Sequence, residues 1–360
     1  MSWLIAFAGF AALIVLHEFG HFAAAKAVGM RVERFALFFP PLLFTVKRGE
    51  TEYGVGAVPL GGYVRITGMN PAEEIPPEHA HRAYYRQPVW KRVIVISAGP
   101  LMNVLIAFLI LWALFLSQGV QEPSTRVEAV EKGSVAQGQL LPGDRIVSVD
   151  GRTGDLEVLS RQIASHRCAG EQVAGCAAAE PATVVLDRDG RRLTLELTPR
   201  FDAQATPPRT RLGFAFGADE VDVGPIDAAD RSVAGMWRVT TGTVDAITRL
   251  FYDSAARKEV SGVVGSYEVT RQSVEVSWIQ AMQILAIISL SLAIVNLFPF
   301  LPLDGGHIFW ALAEKIRRRP IPFSVMERAS VVGFLLVIFI FAVGLTNDID
   351  RLRGEGFGIR

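Results

Sequence analysis

His17-Glu18-Phe19-Gly20-His21 is the stretch of this chain whose residue types and spacing can do chemistry. HExxH on a helix sets two imidazoles at i and i+4, on one face, where both reach a single Zn²⁺. The glutamate between them is placed to take a proton from the metal's water. The setting is apolar: Leu4 to Leu16 carries no charge, and Phe22 to Ala25 follows the motif. Two histidines and a glutamate are costly in a bilayer, so such a cluster inside a span marks a functional site. These residues predict a zinc peptidase that works within the membrane.

A catalytic zinc takes three protein ligands and keeps one position open. Asp304, which follows Asn296, Pro299 and Pro302 and precedes Gly305-Gly306, is the best candidate for the third. His307, His79, His81 and Glu33 are the alternatives, although His79 and His81 lie in a Pro- and Glu-rich stretch that reads as solvated.

Whatever positions these groups must cross a membrane. The 360 residues are 50% hydrophobic with mean hydropathy +0.32, too apolar for an ordinary soluble chain of this length. Formal net charge is zero, 36 Lys and Arg against 36 Asp and Glu, so no global field points to nucleic acid. Cys168 and Cys176 fit neither a zinc cluster nor a disulfide framework of several bridges; on an outer face they could form one local disulfide or stay as two thiols. The first apolar stretch lacks a basic leader and runs into the motif, so it reads as a retained span. Spans are expected at about Ser2 to Val28, Val93 to Leu116, Trp278 to about Phe300, and Ala329 to Thr346.

Arg31, Arg34, Lys47, Arg48, Arg65, Arg82, Arg86, Lys91 and Arg92 lie between the first two spans, and Lys315 to Arg319 between the last two. Lys and Arg in short loops mark the cytoplasmic side, which leaves both termini and the long middle segment outside. The first and third spans then both run inward, so HEFGH and Asp304 arrive at the same end. Pro299 and Pro302 break the helix there and the glycine pair lets the backbone turn, freeing the carboxylate to face a cavity.

The middle segment, roughly Gln121 to Phe201, alternates like β structure in Arg145–Asp150, Ala182–Asp187 and Arg192–Thr198. Asp189-Gly190 signals a hairpin. Asp202 to Asp230 reads as a linker, and Met236 to Tyr252 as an amphipathic helix, packed or lying on the membrane surface.

HEFGH in a first span, Gly99-Pro-Leu-Met-Asn103 at the head of a second, and Asn296, Pro299, Pro302 and Asp304-Gly-Gly306 after a third resemble the site-2 proteases, in matching order over nearly the whole chain. The extracytoplasmic insert resembles the bacterial branch that cleaves anti-sigma factors. Gly133 to Gly151 is similar to the helix, turn and strand of a PDZ domain, and Val58 to Arg65 to that branch's membrane-associated β-hairpin. The implied fold is a polytopic α-helical membrane protein of about four transmembrane helices, with a membrane-associated β-hairpin region and one extracytoplasmic PDZ-like α+β domain. The implied division is a membrane metalloprotease half at 1–120, the PDZ-like domain at 121–201, a linker and amphipathic segment at 202–277, a second membrane half at 278–346 and a tail at 347–360.

The resemblance further implies one Zn²⁺ per chain, held by His17, His21 and Asp304, with Glu18 as the catalytic base. Asn296 would help hold the substrate, and the β region from Gly54 to Ile66, including Gly61, Gly62 and Tyr63, would pair with it once unwound. A helical peptide bond is shielded by its own hydrogen bonds, so strand addition would satisfy a locally extended backbone. The implied partners are membrane lipid and single-span membrane proteins of the anti-sigma-factor type, already trimmed outside, with signal-peptide remnants as a second class. The implied location is the inner (cytoplasmic) membrane. The chain departs from its relatives in having one PDZ-like domain where some have two, and in lacking a proline in Ser261–Gly265. The alternative class is a catalytically inactive, membrane-anchored PDZ scaffold.

Overall fold

The computed structural model describes residues 1–70, 73–250, 252–319 and 321–354; the end of the expected tail, 355–360, lies outside the described residues. The chain forms two compact units, one of Met1–Ser117 with Gly224–Arg360 and one of Gln118–Val223.

In the first unit, α1 (Ser2–Ala27) leads into a long hairpin, β1 (Val32–Arg48) and β2 (Thr51–Ile66), then two short 3₁₀ segments and α2 (Val89–Gln118). Small residues let the two helices meet closely: a Cβ on Gly20 of α1 would strike the Ala98 carbonyl of α2. Ala25, Met30, Val32, Ile66, Tyr84, Val95 and Ile96 pack where helices and hairpin join.

The hairpin doubles back on itself. Residues 32–37 of β1 pair with 62–66 on one side and 52–55 on the other, and 51–55 pairs in turn with 44–48. Four short segments therefore lie side by side, with 62–66 at one edge. Among the described residues no other strand pairs that edge. At the opposite edge Leu43, Phe44 and Val46 are exposed, apolar side chains suited to a bilayer.

The second unit contains β3 (Val120–Val130), β4 (Arg145–Val149), β5 (Arg152–Thr153), α3 (Leu156–Ala164), β6 (Ala182–Arg188), β7 (Arg191–Leu197), β8 (Arg200–Asp202), β9 (Arg209–Arg211) and β10 (Phe214–Val221). Its main sheet has the order β10-β3-β4-β6-β7 with β5 beside β4. Val127, Ile146, Val149, Val184 and Leu186 from alternating strand positions bury against Leu159 and Ile163 of α3. Asp155 caps α3 by accepting from the N–H groups of Glu157 and Val158. Asp189 and Gly190 both take positive φ, 52° and 79°, the turn that matches strand twist between β6 and β7. Cys168 and Cys176 are joined by a disulfide.

Back in the first unit come α4 (Pro225–Arg249), α5 (Ser254–Glu259), α6 (Val263–Val276), α7 (Trp278–Asn296), α8 (Asp304–Arg317) and α9 (Phe323–Arg353). The 202–277 stretch expected as a linker and amphipathic segment thus holds strands and three helices. Its Pro, Gly and Asp content reads as loop, yet Leu212 enters the core of the second unit and β10 pairs with β3. Met236 and Val239 of α4 pack on Ala107 of α2 and on Ala286 and Leu290 of α7. At Ser261–Gly265, where the expected proline is absent, Asp348 of α9 accepts from the N–H groups of Gly262 and Gly265 (3.0 and 2.7 Å) and so caps α6.

Among the described residues four helices are long and apolar enough to cross a membrane: Ser2–Ala27, Val89–Gln118, Trp278–Asn296 and Ser324–Arg353. Leu101, Leu105, Val332 and Phe339 project outward from them, exposed as lipid-facing residues are.

Candidate metal centre

The helical repeat sets His17 and His21 on the buried face of α1. Asp304 reaches them from the far end of the sequence because the chain folds back tightly after α7. A Cβ on Gly305 would collide with the Leu297 carbonyl, and one on Gly306 with the backbone at Leu301. Only glycine fits that return, and it delivers Asp304 as the first residue of α8.

Asp304 Oδ2 lies 3.3 Å from His17 Nε2 and 3.3 Å from His21 Nε2. The two imidazole nitrogens are themselves 3.3 Å apart. Ligand atoms about 2.0–2.1 Å from a common Zn²⁺ at tetrahedral angles stand roughly 3.3–3.4 Å from one another. The three atoms are therefore spaced as three ligands of one tetrahedral zinc ion would be. Asp304 Oδ2 is buried and makes no hydrogen bond, a costly arrangement that a cation relieves. Among the described residues this is the one such gathering of three His, Cys, Asp or Glu ligands.

The supports come from α2. His21 Nδ1 lies 2.9 Å from the Val95 carbonyl oxygen, so its N–H donates there and Nε2 is left with its lone pair for metal. His17 Nδ1 lies 3.1 Å from the side-chain amide of Asn103. Gly99 faces His21 so closely that a Cβ there would strike the ring. Arg92, lower on the same helix, forms a two-pronged pair with Glu314 of α8 at 2.9 Å per contact, tying the Asp304-bearing helix to α2.

Glu18 lies against the hairpin. The main chain at Val64 lies beside its carboxylate. A Cβ on Gly62 would come within 2.8 Å of Glu18 Cγ. The unpaired edge 62–66 therefore runs directly past the acid of the motif. Tyr63 stacks on Phe39 at 6.0 Å between ring centroids and accepts from Arg34 at 3.2 Å. Gly61 also abuts Phe39, and Asn296 closes α7 half-buried.

The rival third ligands stand elsewhere. Glu33 is engaged by Arg31, Thr67 and Arg65. His79 faces Glu78 at 3.5 Å. His81 and His307 are outside the cluster, although His307 is only one helical turn past Asp304. Sequence reasoning left Gly99 and Asn103 without roles. Their signal was the i, i+4 spacing that repeats the His17/His21 spacing on the facing helix.

Residues 5–340 match the model of peptidase family M50. The zinc metalloprotease Rip1 of Mycobacterium tuberculosis is 32% identical over 387 residues, covering 93% of this chain and 94% of its own. Putative zinc metalloproteases of Rhizobium meliloti (29% over 364 residues, 95% of this chain and 94% of that one) and Xylella fastidiosa (28% over 447, 96% and 98%) are similar over their full spans as well. These matches favour an enzyme over an inactive scaffold and make zinc its cofactor, which the His, His, Asp triangle fits. The chain, with its four candidate membrane spans, belongs to peptidase family M50, the site-2 proteases, and is a zinc metalloprotease.

Proposed function

We propose that this metalloprotease cuts single-span membrane proteins within or next to their spans. The observation that carries the reading is the 3.3 Å triangle of His17, His21 and Asp304 built at the ends of apolar helices. Held by these three residues, zinc would supply Lewis acidity, acidifying the attacking water and polarising the scissile carbonyl. Glu18 takes the proton from the attacking water and passes it to the amide nitrogen as the C–N bond breaks. The edge 62–66 gives an unwound substrate a strand to join, with Gly61, Gly62 and Tyr63 lining it, and Asn296 helps hold the chain. The open edge beside Glu18 supports this reading.

The proposed substrates are of the anti-sigma-factor type, trimmed first on the outer side, with signal-peptide remnants as a second class. The proposed setting is the inner membrane, with both termini and the β-rich unit, read as a single PDZ-like domain, outside and the site toward the cytoplasm. The proposed role of the PDZ-like domain is to restrict entry to substrates without bulky outer domains, or to dock a trimmed terminus. The test compares membrane proteomes of cells carrying the intact protein and Glu18→Gln. Trimmed single-pass fragments should accumulate in the variant; identical proteomes would overturn the assignment.

A further inference from the structure

We infer that Asn103 is the positioning residue that fixes His17 as an Nε2 ligand, by turning its amide oxygen toward His17 Nδ1. The inference rests on the reading that His17 binds zinc. An imidazole that coordinates through Nε2 carries its proton on Nδ1, which is then a donor. The Val95 carbonyl serves His21 in this way. His17 has no main-chain carbonyl at Nδ1; it has the side chain of Asn103, whose amide nitrogen position is 3.1 Å away and whose Oδ1 is buried without a partner. An N–H cannot accept the Nδ1 proton, and the amide oxygen can. A half-turn of the amide exchanges the two positions without moving a carbon.

Asn103 is well held for the task. It is fully buried, and its main-chain carbonyl accepts a hydrogen bond from Ser289 Oγ of α7 at 2.9 Å. The backbone that bears the amide is thus tied to α7, and the side chain faces His17 of α1. Partners of this kind set ring orientation and ligand basicity, and losing one typically costs roughly 10–100-fold in metal affinity.

The test measures zinc affinity of the purified full chain by competition with a chromophoric chelator. Asn103→Leu, of similar size but without an acceptor, should bind zinc about 10–100-fold more weakly. Asn103→Asp, which can only accept, should bind within a few-fold of the unaltered protein or tighter. Melting of the metal-free proteins checks that folding is intact; if Asn103→Leu fails to fold, Asn103→Asp still decides. A large loss of affinity in Asn103→Asp means the amide nitrogen matters and overturns the inference, as does unchanged affinity in Asn103→Leu. His17→Ala separates the two levels. If it leaves zinc affinity unchanged, the site reading itself fails; if it weakens zinc while Asn103→Leu does not, only the role of Asn103 falls.

Discussion

Gly99→Ala tests how closely α2 is fitted to the metal site. The added methyl would stand 2.6 Å from His21 Cε1 and 2.7 Å from Cδ2, with Nε2 nearer still. Ordinary carbon contacts are about 3.5–4.0 Å, so the ring must withdraw by roughly 1 Å. With zinc bound it would have little freedom to do so, because the metal would anchor Nε2 while the Val95 carbonyl of the same helix, 2.9 Å from Nδ1, holds the other side of the ring; without the metal only that single hydrogen bond restrains it. A nitrogen displaced that far no longer suits a bond of about 2.0–2.1 Å. We expect zinc affinity to fall about 30-fold, which removes about 2 kcal/mol of metal-linked stability. In the metal-free protein the ring can swing aside, and alanine is favoured over glycine in a helix by about 1 kcal/mol. The metal-free variant should therefore melt at or above the unaltered protein's temperature, while the gain on adding zinc shrinks. The assay is a melting series over zinc concentration in detergent. An undiminished zinc-dependent gain in Gly99→Ala would refute the packing argument.

Gly62→Val should lower kcat by about 100-fold with zinc content unchanged, since the new side chain displaces Glu18 rather than a ligand; metal analysis beside a peptidase assay checks it. Arg92→Ala should destabilise the protein by about 1–3 kcal/mol in denaturant, less than the 3–5 of a fully buried pair because Glu314 still reaches water. Replacing Glu314 by Leu as well should restore most of that loss. Hydrogen bonds from Arg82, opposed by burial and joined by Lys26, hold the Glu50 carboxyl from its ordinary 4.5 down to about 2. Its folded value is depressed, so its contribution is complete above about 4.5 and fades as pH falls toward 2. Protease nicking of the hairpin turn should therefore rise over that window, and Glu50→Gln should flatten the dependence.

The parts of the site that follow from local periodicity are readable in the sequence. His17 and His21 share a face because their spacing matches one helical turn, and Gly305-Gly306 after Pro302 announces a sharp return that carries Asp304. The convergence on one point is also what the loop charges lead one to expect, since they give two spans a common direction. What the sequence hides is what depends on the opposing surface. Asn103 reads as one polar residue in an apolar helix, and only the facing His17 gives it meaning. Asp202 to Asp230 reads as a linker because short edge strands look like loops until their partner is known, and β10 is held by β3, almost a hundred residues earlier. The hairpin likewise hides its doubling, because one strand that pairs on both sides has no distinct pattern of its own.

The near-touching backbones at Gly20 and Ala98 bear on how a guest enters. Where two helices meet through a glycine and a carbonyl, no side chains remain to swing out as a doorway, so α1 and α2 behave as a fixed wall. That wall carries Glu18, both imidazoles and their braces. On the proposed function, admission would come by the flank bordered by the open strand, where a transmembrane helix would meet an edge that rewards unravelling. Selectivity would follow from how readily the guest melts locally, and its exact letters would matter less than its weak points.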